Sequence, residues 1–225
     1  MSIKLVVFDM AGTTVKDGNY VGAAFTKAMQ LYGYQTRVED VSPIMGYQKP
    51  VAIRMMLEKL ERDVDAITPT LIDRIHTAFV EEMLIFYRES KDITPLAGVE
   101  DTFKILREEG VFIGLDTGFS RDIAQLIVDR LDWNDKIDIL VASDEVEAGR
   151  PYPYMIEKMM RQFGITDASE VAKVGDTEVD INEGHRAQCK YIIGVTTGAV
   201  TRDELATYGP THIVDHIEEV LSIVR

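Results

Sequence analysis

At 225 residues, 46% hydrophobic and 28% charged, the chain suits one α/β domain, or a core with a smaller insertion, and its composition excludes a disordered protein. Its net charge of −14 repels nucleic acid and anionic membranes, so an anionic substrate needs a local cation, either a metal or a few placed Lys and Arg side chains. Cys189 is the single cysteine, which excludes an internal disulfide and a thiolate metal cluster and suits a reducing cytosol.

Ile3 to Phe8 is a run of β-formers that halts at Asp9, with Ala11, Gly12, Thr13 and Thr14 behind it. It reads as a buried parallel strand that delivers Asp9 to its C-terminal edge. The run is too short for a signal peptide or a membrane span, so a cytoplasmic location is expected. Val21, Ala24, Phe25, Ala28 and Leu31 then recur at helical spacing, and Gly33 stands where that helix stops. A second helix is predicted from Pro50 through Leu60 and a third from about Pro69 to Glu89. No strand pattern appears between Thr14 and Ile93. A helical cap over residues 15–92 is therefore expected, inserted into a core of residues 1–14 and 93–225.

From Thr94 the pattern alternates. Helices are predicted over Val99–Glu109, Ser120–Leu131 with Ser120 as N-cap, Tyr154–Phe163, Val179–Ala187 and Ile217–Val224. Strands are predicted over Val111–Asp116, Ile137–Ala142, Val171–Val174, Tyr191–Val195 and His212–Val214. Such alternation gives a Rossmann-like, doubly wound parallel sheet with helices on both faces.

Asp116-Thr117-Gly118, Gly149-Arg150-Pro151 and Gly175-Asp176-Thr177-Glu178-Val179-Asp180 all follow predicted strands, at the same sheet edge as Asp9. Taken singly, each is an ordinary turn or helix cap. In a doubly wound fold these edges converge on one crevice, and together they form a phosphoryl-transfer site. Asp9 is the candidate nucleophile toward phosphorus. Asp9 and Asp176 suit one Mg²⁺, a hard cation that accepts one or two carboxylates and leaves positions for phosphoryl oxygens. Thr117 suits a hydrogen bond to a phosphoryl oxygen, and Arg150 supplies the fixed cation that so acidic a chain lacks globally. Asp180, one helical turn past Asp176, is placed to orient the metal shell or Arg150.

The segment Asp9 to Thr14, with Thr117-Gly118, Arg150 and Gly175 to Asp180, resembles the four signature motifs of the haloacid dehalogenase-like superfamily of phosphohydrolases, in order and over the whole chain. The resemblance implies an aspartyl-phosphate mechanism with Mg²⁺, and Ala11, Gly12 and Gly118 join Thr117 and Arg150 around the phosphate. The phosphatases of that superfamily carry a second Asp, the acid for the leaving alcohol, two residues after the nucleophile. Here that position is Ala11, and a methyl group donates no proton, so ester cleavage loses the roughly 10²–10⁴-fold that general acid catalysis supplies.

A carbon leaving group needs an electron sink instead of an acid. Lys49 offers one in Met45-Gly46-Tyr47-Gln48-Lys49-Pro50, because Pro50 holds it at the mouth of the following helix, where the dipole lowers its pKa. A neutral amine condenses with an aldehyde to an iminium, which withdraws electrons from an adjacent C–P bond. The pairing of Ala11 with Lys49, and Gly149 to Pro153, resemble the phosphonatase branch of the superfamily. That implies Mg²⁺ on Asp9, the Ala11 carbonyl and Asp176, a Schiff base on Lys49, and phosphonoacetaldehyde or a relative as substrate. Two positions depart from the branch: Ala52 stands where it has a His, and Phe119 where it has a Tyr. The alternative is a phosphomonoesterase or pyrophosphatase whose acid comes from elsewhere, for example the cap. The partner is a small phosphonate or phosphate ester, and a homodimer is a candidate assembly.

Overall fold

In the computed structural model, residues 2–198 and 200–225 are described; Met1, first in the expected core segment, lies outside them. The sheet has six strands, β1 (Leu5–Asp9), β2 (Phe112–Thr117), β3 (Ile139–Ala142), β4 (Val171–Gly175), β5 (Tyr191–Val195) and β6 (His212–Val214). Their order is β3-β2-β1-β4-β5-β6, and every neighbouring pair is parallel. The chain first builds outward from β1 to β3, then crosses back to place β4 on the other side of β1. The C-terminal edge between β1 and β4 is therefore the switch point of the sheet, where flanking loops part and leave a crevice.

The apolar run that predicts β1 is buried on both faces. Val6 and Phe8 join the larger hydrophobic cluster, with Phe103, Leu106 and Trp133, while Leu5 and Val7 join the cluster under Met155, Met159 and Ile181. Two-sided burial is what permits a continuous apolar strand rather than an alternating one.

Between β1 and β2 lie α1 (Tyr20–Leu31), α2 (Val38–Val41), α3 (Lys49–Leu60), α4 (Pro69–Glu89) and α5 (Val99–Glu108). The 21-residue α4 packs on α1 and α3 and also reaches α6 (Arg121–Arg130). Its inward residues Ile75, Phe79 and Met83 continue the larger cluster. Gly33, at φ 87°, ends the first helix in the left-handed conformation that glycine adopts without penalty. The two chain crossings into this helical layer lie side by side, since Lys16 N–H donates to Thr94 O at 3.1 Å and Leu96 N–H to Thr14 O at 3.0 Å.

The remaining helices are α7 (Tyr154–Gln162), α8 (Glu178–Arg186), α9 (Arg202–Thr207) and α10 (Val220–Val224). Neither α2 nor α9 is expected from the sequence, because four and six residues are too few for a period to register. Ser120 does occupy the N-cap of α6, but its hydroxyl makes no capping bond. Among the described residues, no helix is long and apolar enough to cross a membrane.

Candidate active site

Asp9 ends β1 and faces Asp116 across the β1–β2 register, while β4 runs out at Gly175, so Asp176 begins the adjoining loop. Asp9, Ala11, Gly12, Thr117, Gly118, Arg150 and Asp176 line a single cavity, and from the helical layer Met45, Gly46 and Lys49 close it. Every predicted site residue except Asp180 is in that lining. Asp180 lies beneath it and acts on the site through Arg150.

Arg150 is buried between two carboxylates. One guanidinium nitrogen lies 2.7 Å from Asp9 Oδ1, and another donates to Asp180 Oδ1. Burial raises the Asp9 carboxyl to about 7, against the pull of Arg150, which favours the charged form. Asp180 is as deeply buried, which by itself raises a carboxyl, yet Arg150 and Lys173 together hold it below its ordinary value. Thr177 N–H also donates to Asp180, at 3.2 Å, so the acid caps α8 while it steers Arg150.

Asp9, Asp116 and Asp180 bring carboxylate oxygens within 4.8 Å of one another. Lys173 sits among this acidic set, 2.6 Å from Asp116, 3.2 Å from Asp180 and 3.1 Å from Glu183. With Arg150 on its other side, two cations are set among four buried carboxylates, so these acids are already engaged in ion pairs. Lys173 and Glu183 are missed by the sequence reading, although a lysine in the middle of an otherwise apolar strand signals a buried acidic partner.

The residues that could hold a hard divalent cation are Asp9, Asp176 and, through its carbonyl, Ala11, which line the cavity together. Asp176 Oδ1 accepts from Thr13 at 3.0 Å. Its other oxygen faces Gly12, where an added Cβ would come within 2.7 Å, and Gly198, where a Cβ would also collide. This all-oxygen donor set, with glycines leaving room around a carboxylate, fits Mg²⁺.

Lys49 is buried, and its ammonium donates to Tyr47 O at 3.1 Å. It also lies 5.5 Å from the Phe119 ring centre and 5.9 Å from that of Phe79. Its pKa is lowered to about 8, but not for the reason the sequence suggests. Lys49 is the first residue of α3, rather than one held outside the helix by Pro50. Burial is the main cause, and the Arg150 charge adds to it. Phe119, the departure from Tyr, thus helps make the apolar wall that discharges the amine.

Helical layer and core approach closely here. A Cβ on Gly118 would meet Tyr47 O at 2.6 Å, and one on Gly46 would meet Thr177 Oγ1 at 2.6 Å. Gln48 bridges the two by donating to Ser143 O at 3.3 Å. The Thr117 hydroxyl, expected at the phosphoryl group, accepts from Phe119 N–H at 3.2 Å, which leaves its own hydrogen available to a ligand. Asp17 also lines the cavity, and nothing in the sequence singles it out.

A nucleophile-like aspartate at the switch point of a parallel sheet, with an arginine against it, defines a class, and comparison gives that class a name. The chain belongs to the haloacid dehalogenase-like hydrolase family, whose pattern matches residues 6–194, and it is a hydrolase. It is 32% identical to the phosphonoacetaldehyde hydrolase of Bacillus cereus (strain G9842), over 98% of this chain and 87% of that one. Among solved structures, a phosphonoacetaldehyde hydrolase-like protein from Oleispira antarctica has a TM-score of 0.83 at 21% identity, covering 100% of this chain and 92% of its own. A hydrolase from Pseudomonas syringae has a TM-score of 0.86 at 18% identity, covering 99% and 97%. At these identities the two structures establish a shared fold.

Proposed function

We propose that the protein cleaves the C–P bond of a small carbonyl-bearing phosphonate, phosphonoacetaldehyde or a relative, through an imine on Lys49 and an aspartyl-phosphate on Asp9. The observation that carries this reading is Lys49, a buried amine with a pKa near 8 in the same cavity as Asp9, where Ala11 replaces an acid.

Residues 15–92 act as a cap over the substrate. The neutral Lys49 amine adds to the carbonyl, water is lost, and the iminium draws electrons from the neighbouring C–P bond. The Asp9 carboxylate attacks phosphorus, the bonding pair passes to carbon, and the organic product leaves phosphorus as an enamine. Arg150 neutralises charge on the phosphoryl group, and Thr117 donates to one of its oxygens, with Gly12 and Gly118 keeping the backbone close. Water then releases phosphate from Asp9, and water addition to the reprotonated iminium frees Lys49. Asp180 holds Arg150 in line. Mg²⁺, held by Asp9, the Ala11 carbonyl and Asp176, supplies positive charge that offsets the repulsion between carboxylate and phosphonate.

The test is borohydride reduction in the presence of phosphonoacetaldehyde. The expected result is a stable adduct on Lys49 by peptide mass, together with phosphate release that Lys49→Ala abolishes. Absence of an adduct, with phosphate esters hydrolysed as well by Lys49→Ala as by the parent, assigns a phosphomonoesterase instead.

A further inference from the structure

We propose that Asp17 is the acid–base group that carries the proton in the imine chemistry of Lys49. The inference rests on the reading of Lys49 given above and adds the group that this reading leaves unnamed.

Five charged side chains line the cavity among the described residues: Asp9, Asp17, Lys49, Arg150 and Asp176. Asp9 is held by Arg150, and Asp176 by Thr13 against Gly12. Asp17 is the carboxyl left without a task. It lies half-buried on the segment between β1 and α1, and its Oδ1 accepts from Tyr20 N–H at 2.9 Å, which fixes the group at the cavity wall. The charges of Asp17 and Lys49 act on each other, yet no ion pair within 4 Å closes between them among the described residues. Both line the same cavity, so a carbonyl bound there has the amine and the carboxyl on its walls. The buried Tyr87 phenol, on α4, has its pKa raised mainly by burial and further by the Asp17 charge. Burial also raises Asp17 above the ordinary carboxyl value, against the Tyr20 and Val21 amides, the Lys49 charge and the Asn19 amide.

The protons of imine formation and imine hydrolysis balance on this one residue, while the enamine carbon takes its proton from solvent, which regains one when water cleaves the aspartyl-phosphate. Addition of the amine to the carbonyl gives a carbinolamine, with one amine proton ending on oxygen. The Asp17 carboxyl then protonates that hydroxyl, water departs, and the nitrogen lone pair forms the C=N bond. After C–P cleavage and reprotonation at carbon, water adds to the iminium, and the Asp17 carboxylate takes back a proton from it.

Capping of α1 is the competing role, and Asp17→Asn separates the two, because its amide oxygen still accepts from Tyr20 while its acid is gone. With phosphonoacetaldehyde and borohydride, this variant is expected to form the Lys49 adduct about 10²-fold more slowly, with KM and melting temperature near those of the parent. The pH profile also changes shape. The parent needs a protonated Asp17 with a neutral Lys49, so trapping falls above about pH 8, whereas in Asp17→Asn it rises to about pH 8 and levels. A variant that traps at the parental rate overturns the assignment of Asp17 alone. A parent that forms no adduct overturns the imine reading and this inference with it.

Discussion

Arg150 lies 2.7 Å from Asp9 while another of its nitrogens is held by Asp180, so the cation beside the candidate nucleophile is aimed by an acid outside the cavity lining. All three groups are buried, and removing the guanidinium takes away the ion pair of Asp9 and leaves Asp180 to Lys173 alone. Arg150→Ala is expected to destabilise the fold by about 3–5 kcal/mol, seen as a lower urea midpoint. Arg150→Lys keeps the charge, but one ammonium cannot span both acids. It should fold and lose roughly 10²–10³-fold in kcat in a phosphate-release assay.

Lys49 should stand apart from the other lysines in competitive labelling with acetic anhydride, which reads only the neutral amine. Its labelling is expected to be half-maximal near pH 8, while exposed lysines follow their usual range. The sign for stability follows from the same shift. The folded chain releases this proton at about 8 and the unfolded chain near 10.5, so the unfolded state holds more protons between those values. Stability attributable to Lys49 therefore rises with pH across that window, and its cost is complete below about pH 8. Lys49→Met should remove this contribution to the pH dependence, along with the labelling.

In the proposed mechanism Ala11 favours the C–P bond, because it leaves no acid for an ester's departing oxygen. Ala11→Asp places a carboxyl two residues after the nucleophile, within the cavity lining, and is expected to raise hydrolysis of p-nitrophenyl phosphate by at least about 10-fold. Phosphonate cleavage should fall in the same variant, because a further negative group disfavours the anionic substrate. Parallel phosphate-release assays on the two substrates measure the exchange.

Asp176 should be needed for metal binding. Saturating Mg²⁺ at about 100 times its Kd adds roughly 2.7 kcal/mol of stability, which appears as a rise in melting temperature. Asp176→Asn preserves the acceptor for Thr13 but removes the charge, and is expected to abolish that rise. EDTA should stop turnover in the parent, and added Mg²⁺ should restore it.

The sequence was legible wherever a short-range rule applies. An apolar run ending in an acid marks β1 and Asp9, helical spacing marks α1, α3 and α4, and glycines and acids after strands mark the edge at Thr117, Arg150 and Asp176. The doubly wound class follows from strand–helix alternation alone, because parallel strands require crossovers. Lys49 and Ala11 were also visible, as a residue present and a residue missing.

Only the tertiary structure decided how these groups act on one another. Burial, not a helix end, sets the Lys49 amine, since the Phe79 and Phe119 rings that surround it come from a different helix and a different loop. Lys173 and Glu183 form a buried cluster beneath the site because β4 and α8 pack there, and Asp17 enters the cavity because Tyr20 N–H anchors it. Electrostatic energies depend on distance and local dielectric, and both are fixed by which distant segments pack together. Local sequence therefore identifies candidate groups, while the fold determines their charge and reach.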